Sequence, residues 1–248
     1  MESLLVKQES ITIQFGEEMS NAYTQLASEF DEWAQNNRAE SMANGHWDVT
    51  VQMLDTIDIT GISNMLDVGC GNGWLVRELL NRGVESGIGL EISPEMIVVA
   101  NQANQFGERE TYLVGNGEVI QIPDASIDCI TNIESLYYYP KPEAALKEWA
   151  RITKSGGQLA MMMDLYVENP ATHNWIEALD VPVRLFAMHE LQQLLEASGW
   201  TEVRMVQIQD RRPMKSRDDF VSSTYWPSYE QYVSYRQTGS LCITARRQ

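Results

Sequence analysis

The run Leu66-Asp67-Val68-Gly69-Cys70-Gly71-Asn72-Gly73 sets a carboxylate two residues ahead of a glycine triplet. Glycines let the backbone turn sharply and approach a ligand with no side chain between them. The apolar residues before the turn read as a strand and those after it, from Trp74, as a helix. The turn therefore ends at a helix N-terminus, where N–H groups lack partners. Glu91 closes the next apolar run, 20 residues beyond Gly71. A carboxylate there can accept both hydroxyls of a ribose. These residues together predict a ligand that contains a nucleoside.

The spacing narrows the ligand further. A pyrophosphate-cradling turn is Gly-x-Gly-x-x-Gly, whereas here it is Gly-x-Gly-x-Gly. Asp67 beside the turn would repel a pyrophosphate. It suits a cationic nucleoside bearing an ammonium and a sulfonium, which describes S-adenosylmethionine. A tight turn that binds nothing is the structural alternative.

Few other side chains could manage a proton or a charge. The stretch Asn132-Ile133-Glu134-Ser135-Leu136-Tyr137-Tyr138-Tyr139-Pro140 brings a carboxylate and three phenols together at the end of an apolar run. A phenol, with a pKa near 10, is a poor base at neutral pH but orients a substrate or stabilises a cation through its ring. Among the three histidines, His46, between two N-terminal helical patterns, is the candidate base; His173 and His189 lie in or near later segments. Glu134 is the second candidate, as a base or as an anchor for a cationic substrate. Packing alone accounts equally well for Tyr139. The cysteines Cys70, Cys129 and Cys242 fit no zinc or disulfide spacing and read as buried thiols, so no metal site is expected.

The elements that must position these groups follow from periodicity. Tyr23, Leu26, Ala27, Phe30 and Trp33 share one face of a first helix, and Trp47, Val51, Leu54 and Ile57 one face of a second that Gly61 ends. An alternation at Ile11, Ile13 and Phe15 reads as an edge strand or as nothing. From residue 64 strands alternate with helices, with Ser93-Pro94 opening one helix as N-cap and first residue. That rhythm predicts an α/β fold, a Rossmann-like, doubly wound, mostly parallel seven-stranded sheet with an antiparallel last strand, plus an N-terminal helical cap. One domain over residues 1–248 is expected: cap 18–60, cofactor-binding half 61–163 and substrate-side half 164–248. Segments 164–186 and 209–239 break the rhythm and read as lids. Their aromatic residues, with Tyr137 and Tyr138, hint at a flat or cationic acceptor.

Residues 60–160 closely, and 187–246 more loosely, resemble the class I S-adenosylmethionine-dependent methyltransferases, especially the small-molecule branch of ubiquinone and menaquinone biosynthesis. The resemblance implies that Asp67, Gly69 and Gly71 line the methionine part of the cofactor, that Glu91 holds the ribose and that Ile92 packs on the adenine; Cys70 and Asn72 of the same turn are also expected to bind the cofactor. Gly115-Asn116-Gly117-Glu118 resembles the family's Gly-Asp-Ala-Glu element, so the amide oxygen of Asn116 is expected to accept from the adenine amino group. Asn132 and its successors would pass beside the sulfonium, with Tyr137 and Tyr138 where the family often has two histidines. The leading helix resembles one whose aromatic residues close over the cofactor, here Tyr23 and Trp33. Lys154-Ser155-Gly156-Gly157 resembles a structural Lys-Pro-Gly-Gly turn. Arg38 is expected to meet the cofactor carboxylate or, more simply, a surface carboxylate.

Bulk properties set the outer limits. The 248 residues include 35 acidic and 18 basic side chains, a net charge of -17. That charge disfavours nucleic acids and anionic membranes as partners. The one basic cluster, Arg211, Arg212, Lys215 and Arg217, reads as a solvated loop. No apolar run approaches the roughly 18–20 residues of a membrane span, and the N-terminus lacks a secretory signal. A cytoplasmic monomer or homodimer acting on a small-molecule acceptor is expected. A nicotinamide-dependent oxidoreductase shares the sheet and the ribose carboxylate, but the glycine spacing and Asp67 speak against it. A non-catalytic binder of the same cofactor stays open, and a macromolecular methyltransferase is disfavoured by the charge.

Overall fold

The strand–helix rhythm that starts at residue 64 closes into one mixed sheet in a computed structural model, which describes residues 17–248. The alternation at Ile11, Ile13 and Phe15 lies outside the described residues. The strands are β1 (Asn64–Val68), β2 (Ser86–Glu91), β3 (Glu110–Val114), β4 (Ile127–Ile133), β5 (Thr153–Met163), β6 (Trp200–Ile208) and β7 (Ser240–Arg247). Their order across the sheet is β3-β2-β1-β4-β5-β7-β6. Only β7 runs antiparallel to its neighbours. Order reverses between β1 and β4, and the crevice at the carboxyl ends of such strands is where open α/β sheets bind ligands.

Seven α-helices surround the sheet among the described residues: α1 (Glu17–Gln35), α2 (Arg38–Leu54), α3 (Trp74–Asn81), α4 (Pro94–Gln102), α5 (Pro142–Ile152), α6 (Met188–Ala197) and α7 (Tyr229–Thr238). Successive strand residues point to opposite faces, and both faces here are covered. Ile130, Leu159 and Met161 join the core formed with α1, α5 and α6, whereas Cys129, Ala160 and Met162 join the core formed with α2, α3 and α4. This is why β4 and β5 read as continuous apolar runs. Each fully buried Leu or Met adds roughly 1.5–3 kcal/mol relative to exposure.

Three local expectations are corrected. The inward face of α2 is Ala43, His46, Val49, Thr50, Met53 and Leu54. Trp47 is 42% exposed and packs instead on Trp74, with ring centroids 5.4 Å apart. The helix stops at Leu54, ahead of Ile57 and Gly61. Residues Lys154 to Gly157 belong to β5, where they form an irregularity in its pairing with β4 rather than a turn before it.

Segment 164–186 contains a 3-10 helix, Pro170–Ala178, and segment 209–239 contains α7. The two meet at Trp175, whose indole N–H donates to the Tyr225 carbonyl at 2.9 Å and whose ring meets Trp226 at 4.9 Å.

Candidate active site

The glycine turn is tied to the end of β2. The N–H groups of Gly69 and Cys70 donate to the Leu90 carbonyl, and that of Gly71 donates to Glu91 Oε2 at 3.0 Å. Glu91 Oε1 accepts from the N–H groups of Ile92 and Ser93 at 2.7 and 3.1 Å. The Glu91 carboxylate is thereby fixed against the turn. Two glycines of the triplet serve different ends. Gly73 has φ 78°, and a Cβ there would lie 2.1 Å from the Tyr112 hydroxyl, so its smallness serves packing. Gly71 has φ 51°, and a Cβ there would meet nothing within 4 Å because the residue faces open space.

Asp67 is 3% exposed and accepts from the Thr131 hydroxyl at 2.7 Å. Burial, reinforced by the charge of Glu91, pushes its carboxyl up to about 7. Such a group is a buried acid without a cation, and an ammonium beside it would restore the carboxylate.

A cavity opens at this edge, lined by Asp67, Gly69, Cys70, Gly71, Asn72, Glu91, Ile92, Asn116 and Gly117 from the sheet side. Tyr23, Leu26, Phe30 and Trp33 of α1 form its opposite wall. It is narrow, about 140 Å³, below the roughly 300 Å³ of ordinary ligand sites. The Tyr23 hydroxyl donates to Glu118 Oε2 and holds α1 over it. Asn116 lines this cavity too. Its Oδ1 already accepts from the Glu118 N–H at 2.9 Å, whereas Nδ2 is buried with no partner. Oδ1 keeps a second lone pair for an adenine amino group, and Nδ2 can donate to a ring nitrogen. The buried Asp67, the open Gly71 and the Asn116 amide fit S-adenosylmethionine at its two ends.

Beyond His46 lies a second cavity of about 490 Å³. Its walls include Tyr137, Trp175, Phe220, Tyr225, Trp226 and Tyr235, so both irregular segments contribute. The two cavities share Trp33, Met42, His46, Glu134 and Tyr138. At this junction His46 Nε2 lies 3.2 Å from Asp164 Oδ2, and the Tyr137 hydroxyl donates to Glu134 Oε2 at 2.7 Å. Burial alone would lower the His46 pKa, but Glu134 and Asp164 outweigh it and raise it to about 9. Burial and Asp164 together push the Glu134 carboxyl up. Burial would also raise Asp164, but His46 holds its carboxyl low. Burial pushes the hydroxyls of Tyr137 and Tyr138 above their ordinary range, which keeps both protonated at neutral pH.

Of the other predicted residues, Arg38, Arg212 and Lys215 line the second cavity, and the rest sit behind the walls. Glu118 is taken by Tyr23 and by the Lys141 N–H at 2.7 Å. Asn132 ties β4 to β1 through the Val68 carbonyl at 2.7 Å. Neither lines a cavity. Arg38 stacks on Trp33 at 3.8 Å and lies 3.7 Å from Glu29. His173 meets the Tyr166 carbonyl, and neither it nor His189 reaches the cavities. The basic cluster is spent on neighbours: Arg211 on Asp48, Arg212 on Asp210 and Arg217 on Glu230. Asp164 is the residue that the sequence reading missed. Its one signal is its place directly after β5, on the same sheet edge as Glu91 and Glu134.

A family model described as a methyltransferase domain matches residues 66–161. A 27-O-demethylrifamycin SV methyltransferase of Amycolatopsis mediterranei is 25% identical over 62% of this chain and 61% of its own length. A ubiquinone biosynthesis O-methyltransferase of Xanthomonas axonopodis is 28% identical over 53% of this chain and 59% of its own. The chain thus spans about three fifths of the length of these relatives. A methyltransferase of Haloferax volcanii, solved in complex with the Trm112 methyltransferase activator, superposes with a TM-score of 0.82 at 27% identity, covering 88% of this chain and 97% of that one. Among the described residues no helix is long and apolar enough to cross a membrane. With the turn, the carboxylate at β2 and the sheet order already in place, these likenesses identify a methyltransferase domain over residues 66–161, set in a sheet that superposes on a solved methyltransferase over most of the chain.

Proposed function

We propose that this chain methylates a small-molecule acceptor held in the second, aromatic cavity. The observation that carries this reading is the shared wall: His46, Glu134 and Tyr138 face both cavities, so a methyl donor in one meets an acceptor in the other across them. S-adenosylmethionine supplies a methyl carbon bonded to a positively charged sulfur, and the acceptor heteroatom displaces the sulfur in line, which leaves with the bonding pair.

The chain's own task is alignment and electrostatics. Asp67, Glu91 and the Gly71 backbone orient the donor's polar ends. Aromatic walls from Tyr137, Trp175 and Tyr225 hold a flat acceptor, and His46 with Glu134 holds its reacting polar group and deals with the charge there. Oxygen is the favoured acceptor atom, since relatives described as O-methyltransferases share residues of this domain. Incubating the chain with methyl-labelled S-adenosylmethionine and a cell extract tests the acceptor class. Label in the low-mass fraction is expected. Label confined to protein or RNA overturns the small-molecule reading.

A further inference from the structure

Two carboxylates and an imidazole converge from distant parts of the chain: His46 from α2, Glu134 after β4 and Asp164 after β5. One ligand atom from each lies within 4.8 Å of those of the other two, and all three are buried. Two carboxylates buried together need protons or a cation to offset their charge, and in the metal-free chain His46 and the raised Glu134 carboxyl hold those protons. A buried charge of this kind costs several kcal/mol unless it is matched.

The surrounding hydrogen bonds do not match it. The hydroxyls of Tyr137 and Tyr235 donate to Glu134 Oε2 and Asp164 Oδ2, each at 2.7 Å. His46 meets the same Asp164 oxygen. Glu134 Oε1 and Asp164 Oδ1 remain buried with no partner. Among the described residues no lysine or arginine pairs with either carboxylate; the close ion pair of His46 is with Asp164, and Glu134 lies further from it.

We propose that His46, Glu134 and Asp164 form a divalent-cation site at the junction of the two cavities. Two carboxylates with one imidazole suit Mn²⁺ or Zn²⁺ better than Mg²⁺, which prefers oxygen donors throughout. Three protein donors leave coordination positions open, as sites that act on a substrate do. His46 and Glu134 also line the second cavity, so those positions are within reach of an acceptor oxygen. Ion binding displaces the protons of His46 and Glu134 to solvent; a hydroxyl then bound to the ion would be more acidic than in water and would lose its proton to solvent as well. The ion's part in transfer rests on the proposed function; its binding does not.

Mn²⁺ is the probe. The full chain, stripped of metal by a chelator, is titrated at about pH 7.5, and free Mn²⁺ is followed by its EPR signal. One saturable site per chain with submillimolar affinity is expected, weakened at least about tenfold by Glu134→Gln and by Asp164→Asn. Circular dichroism verifies that each near-isosteric variant is folded. No saturable uptake by the unaltered chain up to about 5 mM overturns the site whatever the variants do, as does unchanged affinity in both folded variants. A parallel titration with S-adenosylhomocysteine separates the two ideas: metal uptake without nucleoside binding supports the site and contradicts the methyl-transfer reading.

Discussion

His46 Nε2 stands 3.2 Å from Asp164 Oδ2, and the pair joins a helix of the N-terminal cap to the carboxyl end of β5. Burial opposes the imidazolium, but the neighbouring Glu134 and Asp164 prevail and its pKa rises to about 9. A histidine whose folded pKa exceeds its unfolded value stabilises the fold fully below the unfolded value, near 6.5, and loses that contribution as pH rises through the folded value. In the metal-free chain, His46→Gln should therefore cost on the order of 3 kcal/mol at pH 6 and far less at pH 10. Urea denaturation of both proteins across this range checks it. A gap that does not change with pH removes the ion pair from the account.

Asp67 makes a second pH-dependent prediction. Its carboxyl, raised to about 7 by burial, is mostly protonated at pH 6. A cationic ligand beside it favours the ionised form, so binding S-adenosylmethionine at pH 6 should release close to one proton, and at pH 8 almost none. Calorimetry in buffers of different ionisation enthalpy counts these protons. Equal release at both pH values places the ligand's ammonium elsewhere.

The two glycines of the turn should separate by phenotype. Gly73→Ala drives a Cβ into the Tyr112 ring and keeps a positive φ; it should cost about 2–4 kcal/mol of stability. Gly71→Ala meets no protein atom within 4 Å. It should cost only about 1 kcal/mol for its positive φ yet weaken S-adenosylhomocysteine at least tenfold. Thermal melts with and without the ligand distinguish these outcomes. Similar melting losses with intact binding in both would mean that Gly71 faces no ligand.

Helix α1 closes a cavity of about 140 Å³ through Tyr23 and Glu118, so it must shift to admit a nucleoside. Tyr23→Phe keeps the ring and loses the hydroxyl. Both association and dissociation of S-adenosylhomocysteine should speed up severalfold, with a smaller change in affinity, as stopped-flow tryptophan fluorescence can show. Unchanged rates would mean that α1 does not gate the cavity.

The cofactor half was legible in the sequence because its signals are local. Asp67, the glycine triplet and Glu91 lie on consecutive strand–turn–helix units, and the sheet brings their ends together by topology alone. The His46–Glu134–Asp164 group was only partly legible, since it joins three elements with no sequence spacing in common. Asp164 follows an ordinary buried strand, and nothing in Met161-Met162-Met163-Asp164 separates a ligand from a loop residue. The α2 register misled because Trp47 and Val51 fit an apolar period, while the true inward stripe passes through His46 and Thr50. Asn116 was read from its resemblance to an aspartate. The bond from the Glu118 N–H, which takes one lone pair of its Oδ1, has no signal in the sequence.

The central claim is that Asp67 and Glu91 hold the two ends of an S-adenosyl ligand at the carboxyl edge of β1 and β2. Isothermal titration of the unaltered chain with S-adenosylhomocysteine tests it most directly, with Asp67→Ala and Glu91→Ala in parallel. The account predicts saturable binding at one site, weakened at least tenfold, roughly 1.4 kcal/mol, by either substitution. No binding at millimolar ligand, or equal affinity in all three proteins, would contradict it.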